Sequence, residues 1–137
     1  MIFAVLTFSN PDLLDDEATL AKHINRLHGF RLAKWLIDLL SAELRMDAEP
    51  IEEDWGYAVR VFENGDPPKD IFMLGCGAEV DEPETRPRIF IGDSFIGGLL
   101  PWTRRRRRAA LERLTKLVQE RLAAQPQVRN LEIELEA

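Results

Sequence analysis

Four groups of residues in this chain have side chains able to do chemistry. The first is Glu52-Glu53-Asp54-Trp55-Gly56-Tyr57. Paired carboxylates can share the roles of acid and base, or hold a hard cation. Neighbouring strand residues point to opposite faces, however, so adjacent acids seldom converge on one atom. The alternative is an acidic loop entering a strand, with Trp55 folded down as an anchor and Gly56 allowing a bulge. Structure or partner contact is the favoured reading of this segment.

The second group is His23 and His28. Five residues apart, they would stand about 140° apart around a helix and so share no face. No third ligand sits at a recognisable spacing, so surface or capping histidines are expected and no metal site is assigned. The third is Cys76, between Gly75 and Gly77. No local motif supplies a base to activate it, and a strand cysteine usually packs as a small hydrophobe. No residue is assigned a catalytic role, and no cofactor is implied.

The fourth group is Arg104-Arg105-Arg106-Arg107-Arg108. Five arginines at a helix start oppose the helix dipole, so something should offset them. Consecutive helical residues spread around the cylinder. Arg104, Arg107 and Arg108 fall near the line of Leu111, where their stems can pack, while Arg105 and Arg106 are expected to face water. Three uses compete: pairing with the acidic middle of the chain, docking an acidic protein, and binding nucleic acid. Only Trp102 stands near the run, so no aromatic interleaving supports the last. A glycine-rich phosphate loop, a G-x-S-x-G elbow and a Cys-x-x-Cys pair are all missing from the sequence.

These residues need elements to position them. Ile2–Phe8 is an apolar run that reads as a strand buried on both faces. Asp12 to Gly29 is ambiguous. Leu20, Ile24 and Leu27 have helical spacing, yet Gly29 either interrupts a helix or starts one. Leu32, Leu36, Leu40 and Leu44, with Ala33 and Ile37, predict a helix ending near Met46. Tyr57–Phe62 and Ile71–Leu74 predict a hairpin around Asn64-Gly65. Residues 78–87, with Pro83 and Pro87, read as an acidic loop, and Arg88–Ile91 as a further strand. Gly97-Gly98 and Pro101 mark another loop. Thr103 is a candidate cap for a helix reaching about Ala124, with Leu111, Leu114, Val118 and Leu122 as its buried stripe. Leu131, Ile133 and Leu135 alternate with glutamates, predicting a half-buried strand with a charged outer face. The order β-α-β-β-β-α-β gives an α+β fold: one mostly antiparallel five-stranded sheet with two helices on one face, forming a single domain over residues 1–137.

Composition narrows the function classes. With 137 residues, 45% hydrophobic and 31% charged, the chain can bury a core without staples. Its single cysteine excludes an internal disulfide. No stretch reaches the roughly 20 apolar residues of a membrane span. The N-terminus does not read as a signal peptide, so a cytoplasmic location is expected. The net charge of −6 is segregated: residues 46–84 hold 12 acidic and 2 basic side chains, and residues 101–137 hold 9 basic and 5 acidic. An acidic average disfavours general nucleic-acid affinity.

Glu53-Asp54-Trp55-Gly56-Tyr57, preceded by His23-Ile24-Asn25 and by Gly29-Phe30-Arg31-Leu32-Ala33-Lys34-Trp35-Leu36, resembles a family of small uncharacterised bacterial proteins. That family carries an E-D-W-G-[WY] core after an L-A-x-W-L helix. Val128-Arg129-Asn130-Leu131 is similar to its closing strand. The resemblance implies a bacterial source and an α+β fold, but no activity. It would make Gly29 the start of the helix and residues 12–28 a long, partly irregular loop. The arginine run and the 78–87 loop lie outside the pattern.

The sequence therefore leads to a non-enzymatic interaction protein, of immunity type or an accessory protein, that docks a protein partner through charged surface. Candidate binding residues are Glu53, Asp54, Trp55 and Arg104–Arg108. The alternatives are a small enzyme or ligand-binding domain using residues 52–54 with a histidine, and a nucleic-acid accessory protein using the arginine run.

Overall fold

The computed structural model describes residues 2–81, 84–93 and 101–136, with no side-chain description at 81 and 101–104. Strand β1 (Ile2–Ser9) is the apolar run, and Phe3 to Phe8 are all buried. A short 3-10 turn (Pro11–Leu13) leads to helix α1 (Glu17–Lys22), and Phe30–Leu40 forms α2. Strands β2 (Ile51–Glu53), β3 (Gly56–Glu63), β4 (Asp70–Asp81) and β5 (Glu84–Asp93) follow as a meander. Helix α3 (Pro101–Ala123) then carries the chain to β6 (Arg129–Leu135).

The strands form one antiparallel sheet in the order β2-β3-β4-β5-β1-β6. Because β1 is antiparallel to both β5 and β6, those two run parallel, joined by α3 across the intervening β1. Helix α2 packs over β3 and β4, and α3 over β5 and β1. The core lies between this layer and the sheet. Leu32, Leu36 and Leu40 of α2, with Leu111, Leu114, Val118 and Leu122 of α3, meet Leu6, Phe8, Val59, Val61, Phe72, Leu74, Ile89 and Ile91. Burying a leucine-sized side chain contributes roughly 1.5–3 kcal/mol. No helix among the described residues is long and apolar enough to cross a membrane.

The α+β, antiparallel reading holds, but the counts change to six strands and three helices. The extra strand, β2, is too short to show a period; it pairs Ile51 with Ala58 and Glu53 with Gly56. The extra helix is α1, capped by the Asp16 carboxylate, which accepts from Thr19 N at 2.8 Å. It covers only the middle of the ambiguous segment, and Ile24 beyond it is 94% exposed. The helical spacing there was not a buried stripe. Helix α2 ends at Leu40, short of Met46, which instead bridges Val61 beside β3.

The described part of 78–87 is ladder rather than loop. Strands β4 and β5 stay paired out to Asp81 and Glu84, with Glu79 and Arg86 joined across them at 2.7 Å. Glu82-Pro83 and Gly97-Gly98 lie outside the described residues. Helix α3 begins at Pro101, so Thr103 sits within it and is not its cap. Strand β6 is a sheet edge, and it is less covered than expected: Ile133 is 37% and Leu135 63% exposed.

Candidate functional site

Asp54 and Trp55 form the turn between β2 and β3, and the loop after α1 holds that turn from beneath. Asn25 Nδ2 donates to Glu53 O at 2.8 Å and to Gly56 O at 3.0 Å. Asn25 Oδ1 accepts from Leu27 N at 3.0 Å and from the Tyr57 hydroxyl at 3.3 Å. Glu52 Oε1 accepts from Ile24 N at 3.1 Å and lies 3.3 Å from His23 Nδ1. The His23 ring sits 4.6 Å from Phe30 and edge-on to Tyr57 at 5.3 Å.

Two glycines let the backbones close in. Gly29 and Gly56 have φ of +130° and +152°, and a Cβ on either would fall 2.2 or 2.4 Å from the Cys76 carbonyl oxygen. Only glycine fits both the conformation and the space. Gly29 is also the N-cap of α2, and the buried Asp15 supplies the missing cap acceptor. Its carboxylate accepts from Gly29 N, Phe30 N and Arg31 N at 2.9, 3.1 and 2.8 Å. An anion at three orphan amides satisfies the helix start and its dipole together.

The turn so fixed presents two kinds of surface. Trp55 lies across Gly75, where an added Cβ would sit 2.9 Å from the indole ring, and meets Phe90 edge-on at 6.2 Å. It remains 43% exposed. With Ile2, Met73, Ala78 and Phe90 it lines a shallow cleft of about 410 Å³ on the sheet face that bears no helix. Beside it, Glu53 and Asp54 are exposed and form no ion pair among the described residues. The buried Tyr57 hydroxyl is pushed up to about 12, chiefly by burial and then by the charges of Glu52 and Asp15, against the Asn25 hydrogen bond. Tyr57 therefore stays a neutral prop under the turn.

The remaining candidates go elsewhere. His28 Nδ1 accepts from Asp15 N at 3.1 Å, so the two histidines belong to separate contacts within one loop. Cys76 is fully buried in the core, and burial pushes its thiol well above the usual range, leaving it protonated and inaccessible.

The arginine run divides. Arg107 enters the core: its guanidinium grips Asp93 through Nε (2.8 Å) and Nη2, lies 3.7 Å from Asp70, and stacks over Phe72. Arg106 is 46% exposed, as expected, yet its guanidinium donates to the fully buried Asp70 at 3.0 Å, and Asn64 holds the other Asp70 oxygen at 2.6 Å. Arg108 reaches Glu112 at 3.6 Å and covers Phe3, while Arg105 is exposed. The Arg104 side chain lies outside the described residues. Of the three competing uses, pairing with the acidic middle of the chain is seen at Asp70, and Asp93 adds a partner from beyond it.

The structure therefore sets Glu53, Asp54 and Trp55 side by side at the turn, buries Arg107 and ties the still-exposed Arg106 to Asp70. Spacing gave no sign that Asn25 holds the turn or that Asp15 caps α2, because each acts on backbone far along the chain. Comparison of the chain with protein-family models, curated proteins and solved structures returned no match.

Proposed function

We propose that this chain is a non-enzymatic interaction protein, of immunity type or an accessory protein, that docks a cationic partner protein through Glu53, Asp54 and Trp55. One observation carries the reading. A half-exposed tryptophan stands beside two unpaired carboxylates on a turn whose backbone is already held by Asn25. Aromatic anchors dominate interface energetics, and a turn ordered in advance loses little entropy on binding. Unpaired carboxylates around the anchor favour a partner rich in lysine or arginine and speed its approach. Kinship with the E-D-W-G-[WY] family belongs to this proposal, since the family core coincides with the turn.

The enzyme alternative draws less support. Glu52 is engaged with His23 and Ile24 N, and Glu53 and Asp54 face solvent rather than a shared cleft. The nucleic-acid alternative draws less as well, because Arg106 and Arg107 have acidic partners inside the fold.

The test is capture from the native cell with wild-type and Trp55→Ala baits at low and high salt. A stoichiometric partner held by the wild type, released by salt and missed by the variant is expected. A partner retained equally by a folded Trp55→Ala chain, or none at low salt, would refute the proposal.

A further inference from the structure

We propose that the outer edge of β6 accepts an extended segment of another protein in which cationic and apolar residues alternate. Strand β6 ends the sheet order and pairs only with β1 among the described residues. The phase of its ladder follows from one bond: Glu136 N donates to Phe3 O at 2.9 Å. With Glu134 opposite Val5 and Glu132 opposite Thr7, the glutamates turn their backbone groups towards β1. Alternation then points the N–H and C=O of Ile133 and Leu135 away from the sheet, unpaired.

The side chains sort along the same alternation. Ile133 and Leu135 lie opposite Leu6 and Ala4 on the helix-bearing side, 37% and 63% exposed. Glu132 and Glu134 lie on the other side. Glu132 reaches Arg86 at 3.4 Å, while Glu134 and Glu136 form no ion pair among the described residues. An added strand would sit about 4.8 Å away, setting its apolar residues beside Ile133 and Leu135 and its alternate residues beside carboxylates. A second β6 fits badly, because antiparallel self-pairing about Ile133 would face Glu132 with Glu134 of the other copy. Edge charges of this kind repel a like strand, and the same charges select a cationic one. The site is independent of the turn proposed above: β2 and β6 are opposite edges of the sheet, about 24 Å apart at the usual strand spacing.

The experiment titrates the full chain with a short peptide alternating lysine and valine, and with its glutamate–valine counterpart, following backbone amides by NMR. The expected result is slowed exchange at Ile133 and Leu135 with the lysine peptide only. Ile133→Pro removes an outward N–H and leaves the inner ladder intact, and it should weaken binding at least tenfold. Should that variant misfold, Glu134→Lys with Glu136→Lys should switch preference to the glutamate peptide. Equal binding of both peptides, unchanged affinity in Ile133→Pro, no switch in the lysine double variant, or perturbations confined to residues 52–55 would each overturn the proposal.

Discussion

Replacing Arg107 with methionine tests whether the arginine run is an internal strut. The Arg107 side chain is 8% exposed, Asp93 9% and Asp70 0%. Methionine fills the same channel against Phe72 but supplies no charge. Asp93 then loses its two-nitrogen grip, and Asp70 keeps only Arg106 and Asn64. Removing one member of a buried ion pair costs about 3–5 kcal/mol. For 137 residues this lowers the melting midpoint on the order of 10–15 °C. The assay is urea unfolding followed by circular dichroism, with Arg105→Met as the control. Arg105 is exposed, so the control should leave stability unchanged. Adding Asp93→Leu to Arg107→Met should recover part of the loss, with a coupling of about 1 kcal/mol or more. Equal midpoints for Arg107→Met and Arg105→Met would refute the reasoning.

Asp15→Ala removes the acceptor for three amides at the start of α2 and should cost about 2–4 kcal/mol, a cap plus buried orphan donors. Chemical denaturation measures it, and faster amide exchange at residues 29–31 should accompany it. Tyr57 is the only tyrosine, so its phenolate absorbance reports one site. Ionisation should occur near 12 rather than at the ordinary 10.0 while the fold persists. Because burial favours the neutral phenol, the folded chain holds its proton to higher pH than the unfolded one. That stabilisation is complete below pH 10 and is lost as pH rises towards 12, by about 1.4 kcal/mol for each pH step of one across the window. Tyr57→Phe should flatten that part of the stability profile.

The legible parts of this fold were those whose pattern is local. Strand β1 is buried on both faces, and its apolar run, broken only by Thr7, shows it. The stripe of Leu111, Leu114, Val118 and Leu122 reads directly as the inner face of α3. Strand β2 has three residues and no period to detect. The 78–87 segment looked like solvated loop because its acids hide a cross-strand pair, Glu79 with Arg86. Helical spacing placed Arg107 near Leu111, but its partners sit at strand positions 70 and 93 that no spacing rule connects. The turn at 53–55 was visible by composition. Its support was not, because Asn25 lies 28 residues before Glu53 and 31 before Gly56.

A crosslinker at Ile51 tests the docking claim most directly. Cys76 is the sole thiol and is fully buried, so Ile51→Cys beside the turn can be labelled alone, with Glu112→Cys on α3 as the control. Photolysis in native-cell extract should give one stoichiometric protein adduct from position 51 and none from 112. Adding Trp55→Ala should abolish the adduct while circular dichroism stays unchanged. No adduct, the same adduct from both positions, or an adduct indifferent to Trp55→Ala would contradict the account.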